Sequence, residues 1–286
     1  MRRLLGLICL LGSCSTLRDA TGSWALEAVS AVAVDSRGEI YAFHRGAAPD
    51  PIVVFDPTGK ILRSWGRGLF RNPHGLRIDR HDHVWVTDSG DHQVLEFTRD
   101  GTLLRCFGVR GESGVGTRRF NGPTDVAFAP TGEFYVADGY GNSRIVKFSA
   151  TGAFLKDWGE KGTAPGEFDV PHSVAVDSKG RVYVADRENS RIQIFDAEGR
   201  FLRQWAQVGA VQCLSIPSSD ELWALSFRTP AVIQEEEHPV GRILRLDLET
   251  GRLCESVESP GHWLHAGSGG DLLVADLAGR IVKVRR

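Results

Sequence analysis

Histidine is the side chain best suited to ligate a metal or carry a proton near neutral pH, and three histidines here stand at matching points of a repeat: His74, His172 and His265. Each lies near the residue that opens the first strand of its unit. Read across all the units, that position holds Ser30, His74, Thr124, His172, Gln212 and His265. The histidines fall in every second unit. In a closed ring of six, alternate units are related by about 120°, so three imidazoles converge on the central axis. Three nitrogens with an open fourth position are how catalytic zinc is commonly held.

The repeat itself is plain. PHGLRIDRHDHVWVTDSGDHQVLEF from Pro73 is followed by PTDVAFAPTGEFYVADGYGNSRIVKF from Pro123 and PHSVAVDSKGRVYVADRENSRIQIF from Pro171. Weaker copies start at Val29, Val211 and Trp263, so the period of several tens of residues signals about six stacked or radial units. Each unit reads as an alternating apolar strand, a polar turn such as Asp177-Ser178-Lys179-Gly180, a second strand, a loop, and two further strands. Four antiparallel strands repeated at this length predict an all-β fold, a six-bladed β-propeller of NHL-like repeats. The last unit stops at Val284 without its fourth strand. A segment near Ala25–Ala31, or just before it, is expected to cross over and supply it.

The polarity of a blade then fixes which loops surround the histidines. The first strand runs away from its histidine and the second returns, so the loops after second strands share the histidines' end. These loops carry His44-Arg45, Asp138-Gly139-Tyr140 and Asp186-Arg187-Glu188-Asn189. A tyrosine and two arginines around a metal make a site able to bind an anion and transfer a proton. Arg144 and Arg191 read as structural repeat residues. His81, His83 and His92 read as solvated surface, and His238 as part of the acidic run Glu235-Glu236-Glu237. His262, close to His265, is ambiguous.

Composition bounds the function. With 34 Lys+Arg against 36 Asp+Glu, the formal net charge is −2, which argues against nucleic acid as a partner. The start, MRRLLGLICLLGSC, places two arginines before an apolar run too short to span a bilayer. Residues 1–14 read as an export signal, and Leu11-Gly12-Ser13-Cys14 resembles a bacterial lipobox with Cys14 as the lipidated residue. The expected location is the periplasm or cell envelope as a lipoprotein, with plain secretion as the other reading. Any membrane attachment would be through that lipid. Residues 15–28 are then a linker containing the ring-closing strand, and residues 29–286 the propeller. Cys106, Cys213 and Cys254 are too few and too widely spaced for a disulfide framework or a cysteine zinc site. They read as small buried apolar residues.

PHGL, ADGYGNSRIV, VPHSVAV, ADRENSRIQ and FHRG together are similar to the peptidylglycine α-amidating lyase family, from about Val29 to Asp276. The chain is expected to be a monomer, and the resemblance implies a six-bladed propeller that cleaves peptides ending in α-hydroxyglycine to a peptide amide and glyoxylate. It implies His74, His172 and His265 as zinc ligands, Tyr140 as general base, Arg45 as its partner, and Arg187 near the substrate carboxylate. It also implies a structural calcium on the backbone carbonyls of Val32 and Leu76 and on an aspartate. Several departures follow from the same alignment. The family's Met-Pro-His-Asp run is matched to Trp263-Leu264-His265-Ala266, which leaves calcium one carboxylate short and puts Trp263 in the substrate pocket. Family disulfide positions fall on Asn121, Gly141, Tyr183 and Ile194, so those bridges are not expected. No room is left in 286 residues for a copper monooxygenase domain, so the hydroxylated substrate is expected to come from elsewhere. Two other readings stand beside this one: a non-catalytic NHL propeller that binds a protein or glycan around a structural metal, and a lyase for another small α-hydroxy amide.

Overall fold

The computed structural model describes residues 26–217, 220–227, 241–267 and 270–284, together with the backbone of 14–17. The described strands form six four-stranded antiparallel sheets, each built from consecutive strands except the last. They are the blades of a propeller, numbered here from the N-terminus. The inner strands of blades 1 to 6 are Val29–Val34, Pro73–Ile78, Asp125–Phe128, Pro171–Val176, Ala210–Ser215 and Trp263–Ala266.

Burial follows position in the blade. In blades 1 to 4 the second and third strands, such as Val182–Asp186 and Arg191–Phe195, are buried at every residue, because neighbouring blades cover both faces. Outer strands such as Phe154–Trp158 are alternately covered and exposed. The blades also lock to one another. A side chain on Gly101, Gly199 or Gly251 would run into the rings of Trp65, Trp158 and Trp205 respectively, each on the outer strand of the preceding blade. All three glycines have positive φ, so these hairpin turns need glycine both for conformation and for room. The turn expected at Asp177–Gly180 is present: the Asp177 carboxylate accepts from the backbone N–H groups of Lys179 and Arg181.

The ring closes through the N-terminus, by a strand that lies within the expected segment 15–28 except for Cys14, and ahead of Ala25–Ala31. Cys14–Leu17 is the outer strand of blade 6 and pairs antiparallel with Arg280–Val284, Cys14 opposite Val284 and Leu17 opposite Ile281. Val29–Val34, which overlaps the expected Ala25–Ala31, is instead the inner strand of blade 1. Blade 1 needs that segment because Ser30 must line the channel where His74 does in blade 2. The expected export segment lies, apart from the backbone of Cys14, outside the described residues.

An irregularity in the inner strands turns the site residues inward. The pairing register slips between Val29 and Ala31, Pro73 and Leu76, Pro171 and Ser173, and Val211 and Cys213. Ser30, His74, His172 and Gln212 sit in these bulges, a device that re-aims a side chain without ending the strand. Gly75 in the blade 2 bulge admits no side chain. A Cβ there would lie 2.6 Å from the Thr124 carbonyl oxygen and 2.7 Å from the edge of Trp263.

Candidate metal centre and active site

Three imidazoles do converge on the axis, and the third is His262. His74, His172 and His262 have ligand nitrogens within 4.8 Å of one another. Their rings pack edge to face, with centroids 4.8 Å apart for His74–His172, 5.0 Å for His74–His262 and 5.5 Å for His172–His262. His265 points elsewhere, into a cavity at the opposite mouth of the propeller. The expected ligand set is therefore corrected at one position. A register count explains the slip: each histidine stands fourteen residues before the aspartate that ends its second strand, His74 before Asp88, His172 before Asp186 and His262 before Asp276. In blade 6 the residue before this position is Gly261 rather than proline, which hid the match.

The intervening blades orient the three rings. His74 Nδ1 is 2.7 Å from the Thr124 carbonyl, His172 Nδ1 2.7 Å from that of Gln212, and His262 Nδ1 2.7 Å from that of Ser30. A carbonyl can only accept, so each Nδ1 carries the proton and each neutral ring presents an Nε2 lone pair. Thus the histidine positions of blades 2, 4 and 6 are fixed by the equivalent positions of blades 3, 5 and 1. Burial drives the His74 and His172 imidazoles well below the usual histidine range, reinforced for His172 by Arg187 and for His74 by its histidine neighbours. Burial likewise lowers His262 to about 4. All three are held in the form that ligates metal.

Tyr140 completes the centre. Its hydroxyl is 2.9 Å from His74 Nε2 and 3.1 Å from His172 Nε2, although the side chain as a whole is 43% exposed. The loop that carries it is tightly set. The Tyr140 N–H donates to Gly122 and the Gly141 N–H to Asn121, while a Cβ on Gly139 would collide with the Pro171 carbonyl. Asn121 and Gly141, where the resemblance places a disulfide, are thus joined by a backbone hydrogen bond, and Tyr183 and Ile194 are directly opposed in the sheet.

The two arginines also reach this end. Arg45 donates from Nε to the Pro73 carbonyl at 2.6 Å, the residue before His74, and interacts electrostatically with Tyr140. The Arg187 guanidinium lies 5.7 Å from the centre of the Tyr140 ring, with Nε donating to Glu188 at 2.8 Å. By contrast, Arg144 and Arg191 are structural, as expected. Arg144 binds Asp138, Asp157 and the carbonyls of Gly116 and Arg119, and Arg191 binds Asp186, Gln204 and three carbonyls.

Other expectations need correction. Trp263 does not line a substrate pocket: it is fully buried, with its ring 4.4 Å from the Arg77 guanidinium. Val32 and Leu76 are fully buried on the inner strands. His83 is not simply solvated, since its Nδ1 is 2.8 Å from the buried Glu96 carboxylate, and His92 Nδ1 accepts from the Gly122 N–H. Of the three cysteines, only Cys213 is buried; Cys106 and Cys254 are exposed on outer strands. His238 lies outside the described residues.

Comparison with known proteins agrees with the repeat and the propeller fold. The NHL repeat family matches residues 70–97, 120–148 and 168–195, within blades 2, 3 and 4. Peptidyl-glycine α-amidating monooxygenase B of Xenopus laevis is 41% identical over 191 residues, covering 56% of this chain and 22% of that protein. A probable peptidyl-α-hydroxyglycine α-amidating lyase of Caenorhabditis elegans is 38% identical over 186 residues, covering 56% of this chain and 53% of that protein. The chain is a homologue of the amidating lyases. It spans about half the length of the nematode lyase and less than a quarter of the frog monooxygenase. The solved structure of streptogramin B lyase matches 96% of this amidating-lyase homologue and 97% of that chain at a TM-score of 0.66, with 13% identity, a likeness of fold alone.

His265 leaves its mark on acid stability rather than on the centre. Burial, with Arg77 adding to it, lowers its pKa to about 4 from an ordinary 6.5. Between those values the unfolded chain binds a proton that the folded chain does not, so this contribution makes stability rise with pH from about 4 to 6.5. A His265→Gln variant is therefore expected to lose less of its thermal midpoint than the native protein between about pH 7 and 5. Equal losses in the two proteins would contradict the lowered pKa of His265.

Proposed function

We propose that the protein cleaves peptidyl-α-hydroxyglycine to a peptide amide and glyoxylate at a zinc ion held by His74, His172 and His262. The observation that carries this reading is the convergence of three acceptor-only imidazole nitrogens beside the Tyr140 hydroxyl. Three lone pairs aimed at one point call for positive charge there, and one hydroxyl proton can satisfy one of them. The donor set also fits the ion. In a tetrahedral zinc site with bonds of about 2.0–2.1 Å, ligand nitrogens lie about 3.3–3.4 Å apart; His74 Nε2 and His172 Nε2 are 3.2 Å apart. Bound there, zinc supplies Lewis acidity that stabilises negative charge on the substrate's hydroxyl oxygen.

The chain's own groups do the rest. Arg187, whose Nε is held by Glu188, turns the remaining nitrogens of its fork to the terminal carboxylate and fixes the α-carbon near Tyr140. Tyr140 accepts the α-hydroxyl proton. Arg45, held on the Pro73 carbonyl next to His74, brings a positive charge that stabilises negative charge developing on the reacting oxygen atoms. As the carbon–oxygen double bond forms, the carbon–nitrogen bond breaks and its electron pair stays on the amide nitrogen. That nitrogen takes up a proton in place of the one lost from the hydroxyl, so products and enzyme balance. Incubation of zinc-loaded protein with a short peptide ending in α-hydroxyglycine is expected to release glyoxylate and peptide amide in equal amounts. Recovery of the intact hydroxylated peptide would defeat the proposal.

A further inference from the structure

Just along the channel from the histidines, one side chain reaches four other blades. Arg77 lies three residues beyond His74 on the same strand, and its side chain is 13% exposed. Its Nε and Nη2 donate to the two oxygens of Asp125 in blade 3, at 2.9 and 2.7 Å. Nη2 also donates to the Leu214 carbonyl of blade 5 at 2.8 Å and lies 3.4 Å from both Ser173 Oγ of blade 4 and Cys213 Sγ of blade 5. Trp263 of blade 6 stacks on the guanidinium at 4.4 Å. Asp125 is fully buried and takes further hydrogen bonds from Ser173 Oγ and the N–H groups of Val126 and Val174.

The contacts fall at telling places. Ser173 directly follows His172, and Trp263 directly follows His262. One guanidinium on the strand of His74 therefore touches the neighbours of both other candidate ligands. Sheet register puts Arg77 level with Ala33, Ala127, Ala175, Ser215 and His265 of the other blades. No other blade places an arginine or lysine there.

The same geometry bears on the calcium that the resemblance implies. With His262 as third histidine, the residue after it is Trp263, an indole where a carboxylate is required. The nearby carboxylate, Asp125, is already engaged on both oxygens by Arg77. The residues present do not fit calcium.

We infer that this chain dispenses with that structural calcium and that Arg77, tied to blades 3 to 6 at this level, is a positioning residue for the metal centre, fixing the strands of His74, His172 and His262 relative to one another. The positioning half rests on the zinc reading; the calcium half does not. Two measurements test it. Native protein, analysed for bound metals and melted with and without millimolar calcium chloride, is expected to hold no stoichiometric calcium and to show an unmoved midpoint. Arg77→Met, which keeps bulk but leaves Asp125 buried and unpaired, is expected to melt lower and to bind cobalt(II), read by its visible absorption, about 10-fold or more weakly. Arg77→Lys should restore part of the loss. One calcium per chain whose removal lowers the native midpoint would overturn the inference, as would native cobalt affinity and spectrum in Arg77→Met. If Arg77→Met does not fold, the calcium measurement on native protein decides. If the histidines bind no metal, the zinc reading fails by itself, the positioning half falls with it, and the calcium measurement still decides the calcium half.

Discussion

Replacing His262 by alanine is expected to strip the metal and abolish glyoxylate release, while replacing His265 by alanine leaves metal content and turnover near native. The two residues are three apart in sequence, yet only His262 joins His74 and His172 within 4.8 Å, and His265 faces the far mouth of the channel. Losing a ligand should cost more affinity than the roughly 10–100-fold seen when a ligand's hydrogen-bond partner is removed. Metal analysis and titration of both variants, after a check that each melts cooperatively, read the difference. The reverse pattern, metal lost from His265→Ala and kept by His262→Ala, would mean that the inner strand of blade 6 is displaced from its observed register.

Tyr140→Phe has the second large effect. The change removes one hydroxyl from a side chain that is 43% exposed, so the fold is expected to hold. It also removes the group that sits between His74 and His172. If Tyr140 takes the substrate proton, turnover falls by about 10²–10⁴-fold, with zinc content unchanged and KM changed little. Full turnover with zinc bound would remove Tyr140 from the role of base. Loss of activity together with loss of zinc would make it a support of the metal centre instead.

Most of this was legible in the sequence because the repeat is legible. His74 and His172 follow a proline at the head of an alternating strand, and Tyr140 and Arg187 follow the aspartate that ends a second strand. Strand polarity alone brings these loops to the histidines' end. Blade 6 was harder, since Gly261 replaces the proline and Trp263-Leu264-His265 offers a nearer histidine to the eye; only a count back from Asp276 selects His262. Arg77 was illegible for a different reason. A charged residue in an alternating strand reads as solvent-facing, whereas in a propeller the inner strand faces a narrow channel where charge must find a partner, here Asp125 on the next blade. Likewise the need for a closing strand and its place ahead of Val29 could be read from the short last blade, but not that it would be as early as Cys14–Leu17.

The most direct measurement is glyoxylate release from a short peptide ending in α-hydroxyglycine, followed through removal and return of the metal. The account predicts release by zinc-loaded protein, its loss on chelation, and its recovery when zinc is restored. Release that survives complete removal of metal, or none from folded protein with zinc bound at His74, His172 and His262, would contradict it.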